Sequence, residues 1–192
     1  MKMRLAPIPL VFAAALMAWL IGAPQPAAAA EKDTYSQQEI LDKAFGFFGY
    51  TTKGLAEAIQ HVFSDQGRPV GFITGEEVSG AFVIGLRYGK GELNRKNAKA
   101  LPVFWQGPSA GFDFGGNASK VLVLVYGLKR TADLFRRFPG IDGSIYVIAG
   151  LGVNYQQREG VVLAPIRTGV GLRAGASIGY LHYTSEHSWL PL

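Results

Sequence analysis

Lys120-Val121-Leu122-Val123-Leu124-Val125-Tyr126 is the stretch that decides how this chain folds. It is β-branched, aliphatic and aromatic, so it is expected to be a strand. A strand with one wet face alternates apolar and polar residues, because successive side chains point to opposite sides. Val121 to Val125 does not alternate. Such a strand needs cover on both faces, with a barrel interior on one side and packed helices on the other.

The segment upstream supplies the helices. Ser36 and Glu39 have the spacing of a capping box, in which the hydroxyl accepts from an amide three residues on and the carboxylate reaches back. Ile40, Ala44, Phe47 and Phe48 then share one helical face, and Gly46 and Gly49-Tyr50 weaken and end the segment. Thr52 can cap a second helix in which Leu55, Ile59, Val62 and Phe63 recur at helical spacing, stopped by Asp65-Gln66-Gly67.

Both sides of 120–126 are strand-like from residue 70 onward. Strands are expected over 70–74, 81–88, 103–105, 144–155, 161–166 and 178–183. The turn signals between them are Gly75, Gly89-Lys90-Gly91, Gly107-Pro108, Gly115-Gly116-Asn117 and Arg158-Glu159-Gly160. One inserted helix is expected near 131–138, capped by Thr131 and ended by Pro139-Gly140. The chain carries 25 glycines in 192 residues, and many lie inside strand-like runs, where they mark bends or close backbone approaches. The expected fold is mainly β with accessory α. It is a small antiparallel barrel of about eight or more strands, with two short N-terminal helices.

Residues 1–30 read as an export signal. Lys2 and Arg4 precede an apolar run over 10–22, Pro24 and Pro26 break it, and Ala28-Ala29-Ala30 offers a cleavage site before Glu31. The run falls short of the roughly 20 residues that a membrane-spanning helix needs. No cysteine follows it, which excludes lipoprotein processing. Expected boundaries are therefore a cleaved signal peptide at 1–30, a helical segment at 31–68 packed on the barrel, and a glycine-rich barrel at 69–192. Cleavage lowers the formal charge from +5 to +3, since Lys2 and Arg4 leave with no acid. That is too small to point to nucleic acid. The absence of cysteine excludes disulfides, thiol catalysis and Cys-ligated metals.

Catalytic and cofactor signatures are not found. His61, His182 and His187 are read as lacking a partner at metal-ligand spacing. Glu76-Glu77, Asp113 and Asp142 form no nominated carboxylate pair. Gly107-Pro108-Ser109-Ala110-Gly111 is not a nucleophile elbow, and no glycine group has phosphate-loop spacing. No catalytic residue, cofactor or metal is expected. The one constellation suited to binding is Arg87, Tyr88, Trp105, Gln106 and Arg173, which set rings and guanidinium groups near expected strand ends. At a barrel mouth they would suit an amphiphile or a saccharide.

Five motifs occur in one order: Gly85-Leu86-Arg87-Tyr88-Gly89, Trp105-Gln106-Gly107-Pro108-Ser109, Gly111-Phe112-Asp113-Phe114-Gly115, Pro165-Ile166-Arg167 and Gly169-Val170-Gly171-Leu172-Arg173. Together they resemble the envelope integrity protein A (EipA) family over roughly residues 70–189. The resemblance implies a soluble periplasmic barrel with accompanying helices, a role in keeping the cell envelope intact, and no catalytic set to transfer. The ending Ser188-Trp189-Leu190-Pro191-Leu192 departs from the family pattern, where a polar residue after the tryptophan and a terminal aromatic are expected.

Three functions follow as expectations. The first is a non-enzymatic periplasmic envelope-maintenance factor whose partner is an unknown envelope protein or a lipid or saccharide component. The second is a lipid- or amphiphile-binding barrel, to which the 107–116 segment and the next strand lend a distant similarity to SYLF domains. The third, an integral outer-membrane barrel, is disfavoured by the helices and by the unalternating 121–125 strand.

Overall fold

The structure, a computed structural model, describes residues 33–49, 53–113, 118–168 and 179–188. The expected leader, Thr52, Arg173 and the chain ending lie outside the described residues.

Two helices open the described chain: α1 (Gln37–Phe48) and α2 (Lys53–Gln66). The capping box forms as expected. The Ser36 hydroxyl accepts from the Glu39 amide at 3.2 Å, and the Glu39 carboxylate accepts from the Ser36 amide at 2.7 Å. Gly49 and Gly67 end the two helices, and their amides donate to Phe45 and Phe63 carbonyls. Ile40, Ala44, Leu55, Ala58, Ile59 and Val62 are fully buried, which is the face that the helical period had selected.

Among the described residues seven strands follow: β1 (Gly71–Arg95), β2 (Leu101–Asp113), β3 (Ser119–Tyr126), β4 (Arg137–Ile148), β5 (Leu151–Arg158), β6 (Val161–Arg167) and β7 (Tyr180–Thr184). They close an antiparallel barrel in the order β1-β2-β7-β4-β5-β6-β3. The first part of β1, Gly71 to Glu77, pairs with β3, whereas Ala81 to Leu93 pairs with β2. The strand folds back so far that Gly75 lies against Lys90 and Gly91. It thus contributes two staves, and the wall has eight.

β3 is covered on both faces, as its sequence demands. Val121, Val123 and Val125 point into the barrel with Ile73, Val103, Leu163 and Tyr183. Leu122, Leu124 and Tyr126 lie under the helices with Leu55, Ile59 and Val62.

Several expected boundaries are corrected. Gly75 and Gly89-Lys90-Gly91 are not turns, because they lie inside β1 where Trp105 and the folded-back backbone leave no room for a side chain. The 144–155 run is a hairpin and not one strand: Ala149 and Gly150 both take positive φ (47° and 86°), the conformation of a tight two-residue turn. The helix near 131–138 shrinks to a 3-10 turn, Thr131–Leu134, with no side-chain cap; Phe138 to Gly140 already belong to β4. Burying Phe138 and Leu134 at the barrel end outweighs the local helical signal. β2 also runs straight through Gly107-Pro108. There Gly107 lies against the Tyr180 carbonyl and Pro108 against Gly179, so close that neither glycine has room for a side chain.

The Lys96 ammonium, 2.5 Å from Glu39, ties the β1–β2 turn to α1. That hydrogen bond, with the Ser36 amide, lowers the Glu39 pKa to about 2. A carboxylate depressed in the folded state stabilises the fold above the ordinary carboxylate range and loses that contribution as pH falls through its lowered value. Wild type is therefore expected to exceed Glu39→Gln in stability at neutral pH, and the two denaturation midpoints should converge as pH approaches about 2. A gap unchanged by acid would count against this linkage.

Candidate functional site

The barrel interior changes character along its axis. One end is apolar: Leu128 and Leu134 plug it, and Trp105, Phe138 and Tyr183 pack above them. Tyr183 meets Phe138 edge-on with ring centroids 5.7 Å apart, and its ring lies 6.0 Å from that of Trp105. The Tyr183 hydroxyl donates to Gln156 at 3.4 Å. Beyond that point the interior carries charge.

Glu77 is the centre of this polar half. It occupies the inward parity of β1, two positions after Gly75, and is 5% exposed. Both carboxylate oxygens are engaged. Oε1 accepts from Arg167 Nε at 2.9 Å and lies 3.2 Å from Arg87 Nε. Oε2 accepts from the Trp105 indole at 2.8 Å and from Arg167 Nη2 at 3.5 Å. Arg167 continues to Asn154 Oδ1 at 2.5 Å. The residues come from both halves of β1 and from β2, β5 and β6, so a single carboxylate links five staves.

Burial alone would push the Glu77 pKa up. Arg167 and Arg87, with the hydrogen bonds from Arg167 and the indole, outweigh it and hold the carboxyl below its ordinary value. A carboxylate so held is a poor proton acceptor at neutral pH. The geometry therefore suits a fixed electrostatic clamp and not general acid–base chemistry.

The five residues expected at a mouth divide. Arg87 and Trp105 turn inward and meet on Glu77. Tyr88 and Gln106 sit on the outer wall, where the register aligns them with His182 of β7 and Arg137 of β4. Gln106 is 3% exposed. Arg173 lies outside the described residues. The reason for the split is strand parity: Arg87 and Tyr88 are neighbours, as are Trp105 and Gln106, so one of each pair must leave the lumen. Sequence reasoning missed Glu77, Arg167, Asn154 and Gln156. Arg167 carried a usable signal, since it continues the inward row of Val161 and Leu163.

Among the described residues, no three of His, Asp and Glu come together as a metal site. His61 is less isolated than its sequence reading held. Asp65, one helical turn on, sits 3.4 Å from its Nε2. The i,i+4 spacing alone should have paired them.

Residues 33–192 match the sequence profile described as Envelope integrity protein A. The chain belongs to this family. A similar solved structure is a crystal structure described as a beta-barrel-like, uncharacterized protein from Brucella abortus. It is 48% identical, with a TM-score of 0.75, and the match covers 83% of this chain and 99% of that one. No curated protein matches. The barrel described above agrees with that beta-barrel-like neighbour. Among the described residues of the present member, no helix is long and apolar enough to cross a membrane.

Proposed function

We propose that this chain is an exported, non-enzymatic periplasmic protein that supports the integrity of the cell envelope. Membership of the envelope integrity protein A family carries the reading. The export pattern over 1–30 supports the compartment. The engaged state of Glu77 supports a non-catalytic role, because both of its oxygens are already bound by the protein's own donors. The described lumen is occupied by its own side chains from Leu134 to Trp105 and Glu77. That packing favours a rigid scaffold acting through its surface over a hollow amphiphile carrier.

Deleting the gene is expected to sensitise cells to detergents and to antibiotics that attack the wall. The full chain should restore resistance, and a version without residues 2–30 should not. Osmotic shock should release the protein without detergent. Unchanged sensitivity of the deletion strain would overturn the envelope role, and recovery of the full-length product only in the cytoplasm would overturn the compartment.

A further inference from the structure

The plugged end of the barrel gathers cations. Arg95, at the end of β1, donates to the Leu128 carbonyl at 3.1 Å and to the Thr131 hydroxyl at 3.4 Å. That contact sets β1 beside the segment where Lys129 and Arg130 are exposed. Asp133 bridges Arg130 at 2.8 Å and Arg136 at 3.3 Å. Glu159 bridges Arg136 and Arg158, the latter at 3.2 Å. Arg158 in turn donates to the Arg137 carbonyl at 3.3 Å. This run of contacts brings Arg95, Lys129, Arg130, Arg136, Arg137 and Arg158 to one face.

Six cations there meet two carboxylates, each already shared between two guanidinium groups. Lys99 of the β1–β2 turn adds a positive charge, and Glu92 and Glu186, exposed at neighbouring strand ends, each subtract one. Seven cations against four acids leave +3. That is the whole excess expected for residues 31–192, since the other ten cations are matched by ten acids elsewhere. The charge of the exported chain is thus concentrated at one end of the barrel. Arg130 is 76% exposed there.

We propose that this face docks the protein, reversibly, on a bilayer surface rich in anionic phospholipid. A stable protein partner would need apolar or aromatic anchors at the centre of the contact. Leu128 and Leu134 are buried beneath the cations, and Phe135 packs back on the core. What the face offers is charge. Its cations come from the ends of β1, β4 and β5 and from the segment between β3 and β4, so they spread across the barrel end instead of converging on one point. A planar field of mobile phosphate headgroups matches charge that is spread in this way. Guanidinium groups, five of the six, also pair with phosphate oxygens two at a time. Docking by charge alone weakens as salt screens it. The proposal rests on the periplasmic reading only for which bilayers the protein meets, namely those that border that compartment.

The test is co-sedimentation of the mature chain, purified after osmotic shock, with vesicles of equal parts phosphatidylglycerol and phosphatidylcholine. The protein should sediment with them at low salt, stay free of pure phosphatidylcholine vesicles, and be released when salt is raised to about 0.5 M. Each cation at an anionic surface is worth roughly fivefold in partitioning, so Lys129→Gln with Arg130→Gln should weaken binding by about 25-fold. Lys129→Gln alone disturbs neither carboxylate bridge, should cost about fivefold, and stands in if the double variant fails to fold. Lys43→Gln with Lys90→Gln removes the same charge from exposed positions on α1 and in mid-β1, and should bind within about twofold of wild type, because charges more than a Debye length from the bilayer are screened. Three results overturn the proposal: no sedimentation at low salt, an equal loss in both double variants, or capture by soluble polyphosphate with the vesicles left unbound. Vesicle binding is read on purified protein, so its failure is distinct from failure of the envelope role, which the deletion strain reads.

Discussion

Replacing Glu77 with alanine is expected to destabilise the barrel by about 3–5 kcal/mol, the range for removing one partner of a buried ion pair. The variant leaves Arg167, itself 8% exposed, with its strongest counter-charge gone. It also orphans the Trp105 indole N–H, whose acceptor is Glu77 Oε2. Glu77→Gln keeps an acceptor and the shape but drops the charge, so its loss should be smaller. Urea denaturation of the three proteins checks the order. A loss below about 1 kcal/mol for alanine, as for a surface pair, would mean that solvent reaches the cluster and the clamp does not exist. Acid should mimic the substitution. Glu77 is depressed in the folded state, so its stabilisation is present above the ordinary carboxylate range and is lost as pH falls through its lowered value.

How much of this was legible beforehand follows from what pattern can carry. Val121 to Val125 disclosed the layer arrangement, because two-sided burial leaves a mark on every residue of a strand. The capping box at Ser36 and Glu39 was equally visible, since it is local. The fold-back of β1 was not. Gly75, Gly89 and Gly91 carry the same letters as turn glycines, and only the folded-back backbone of β1 and the position of Trp105 on another strand say otherwise. The hairpin at Ala149-Gly150 was hidden for a related reason: alanine at positive φ is unfavourable on its own, and the strands on either side impose it.

The charged cluster was harder still. Glu77 and Arg167 are 90 residues apart in sequence, and nothing short-range couples them. Arg87 and Trp105 were singled out for a mouth, and the fold uses them inside as partners of Glu77. Their chemistry was read correctly as guanidinium and indole. What could not be read was the carboxylate that they serve, because closure of the barrel alone brings it to them.

Gly89→Ala should cost about 3 kcal/mol, combining overpacking with loss of a hydrogen bond to a charged group. Gly89 and Trp105 are direct cross-strand partners. A methyl group on Gly89 would come within 2.0–2.3 Å of three indole atoms, and the same ring would crowd a methyl on Gly75 at 2.7 Å. With Trp105 only 2% exposed, the ring has nowhere to retreat. It must tilt, and its N–H then leaves Glu77. Backbone strain plays no part, since Gly89 is not among the positive-φ residues. The cost should therefore vanish once the ring is removed. In a Trp105→Ala background, Gly89→Ala is expected to be neutral or to stabilise by about 0.4–1 kcal/mol, through the lower entropy of the unfolded chain. A double-mutant cycle read by urea denaturation measures the difference. Equal costs in both backgrounds would show that the fold-back of β1 needs this glycine for some reason other than its indole lid.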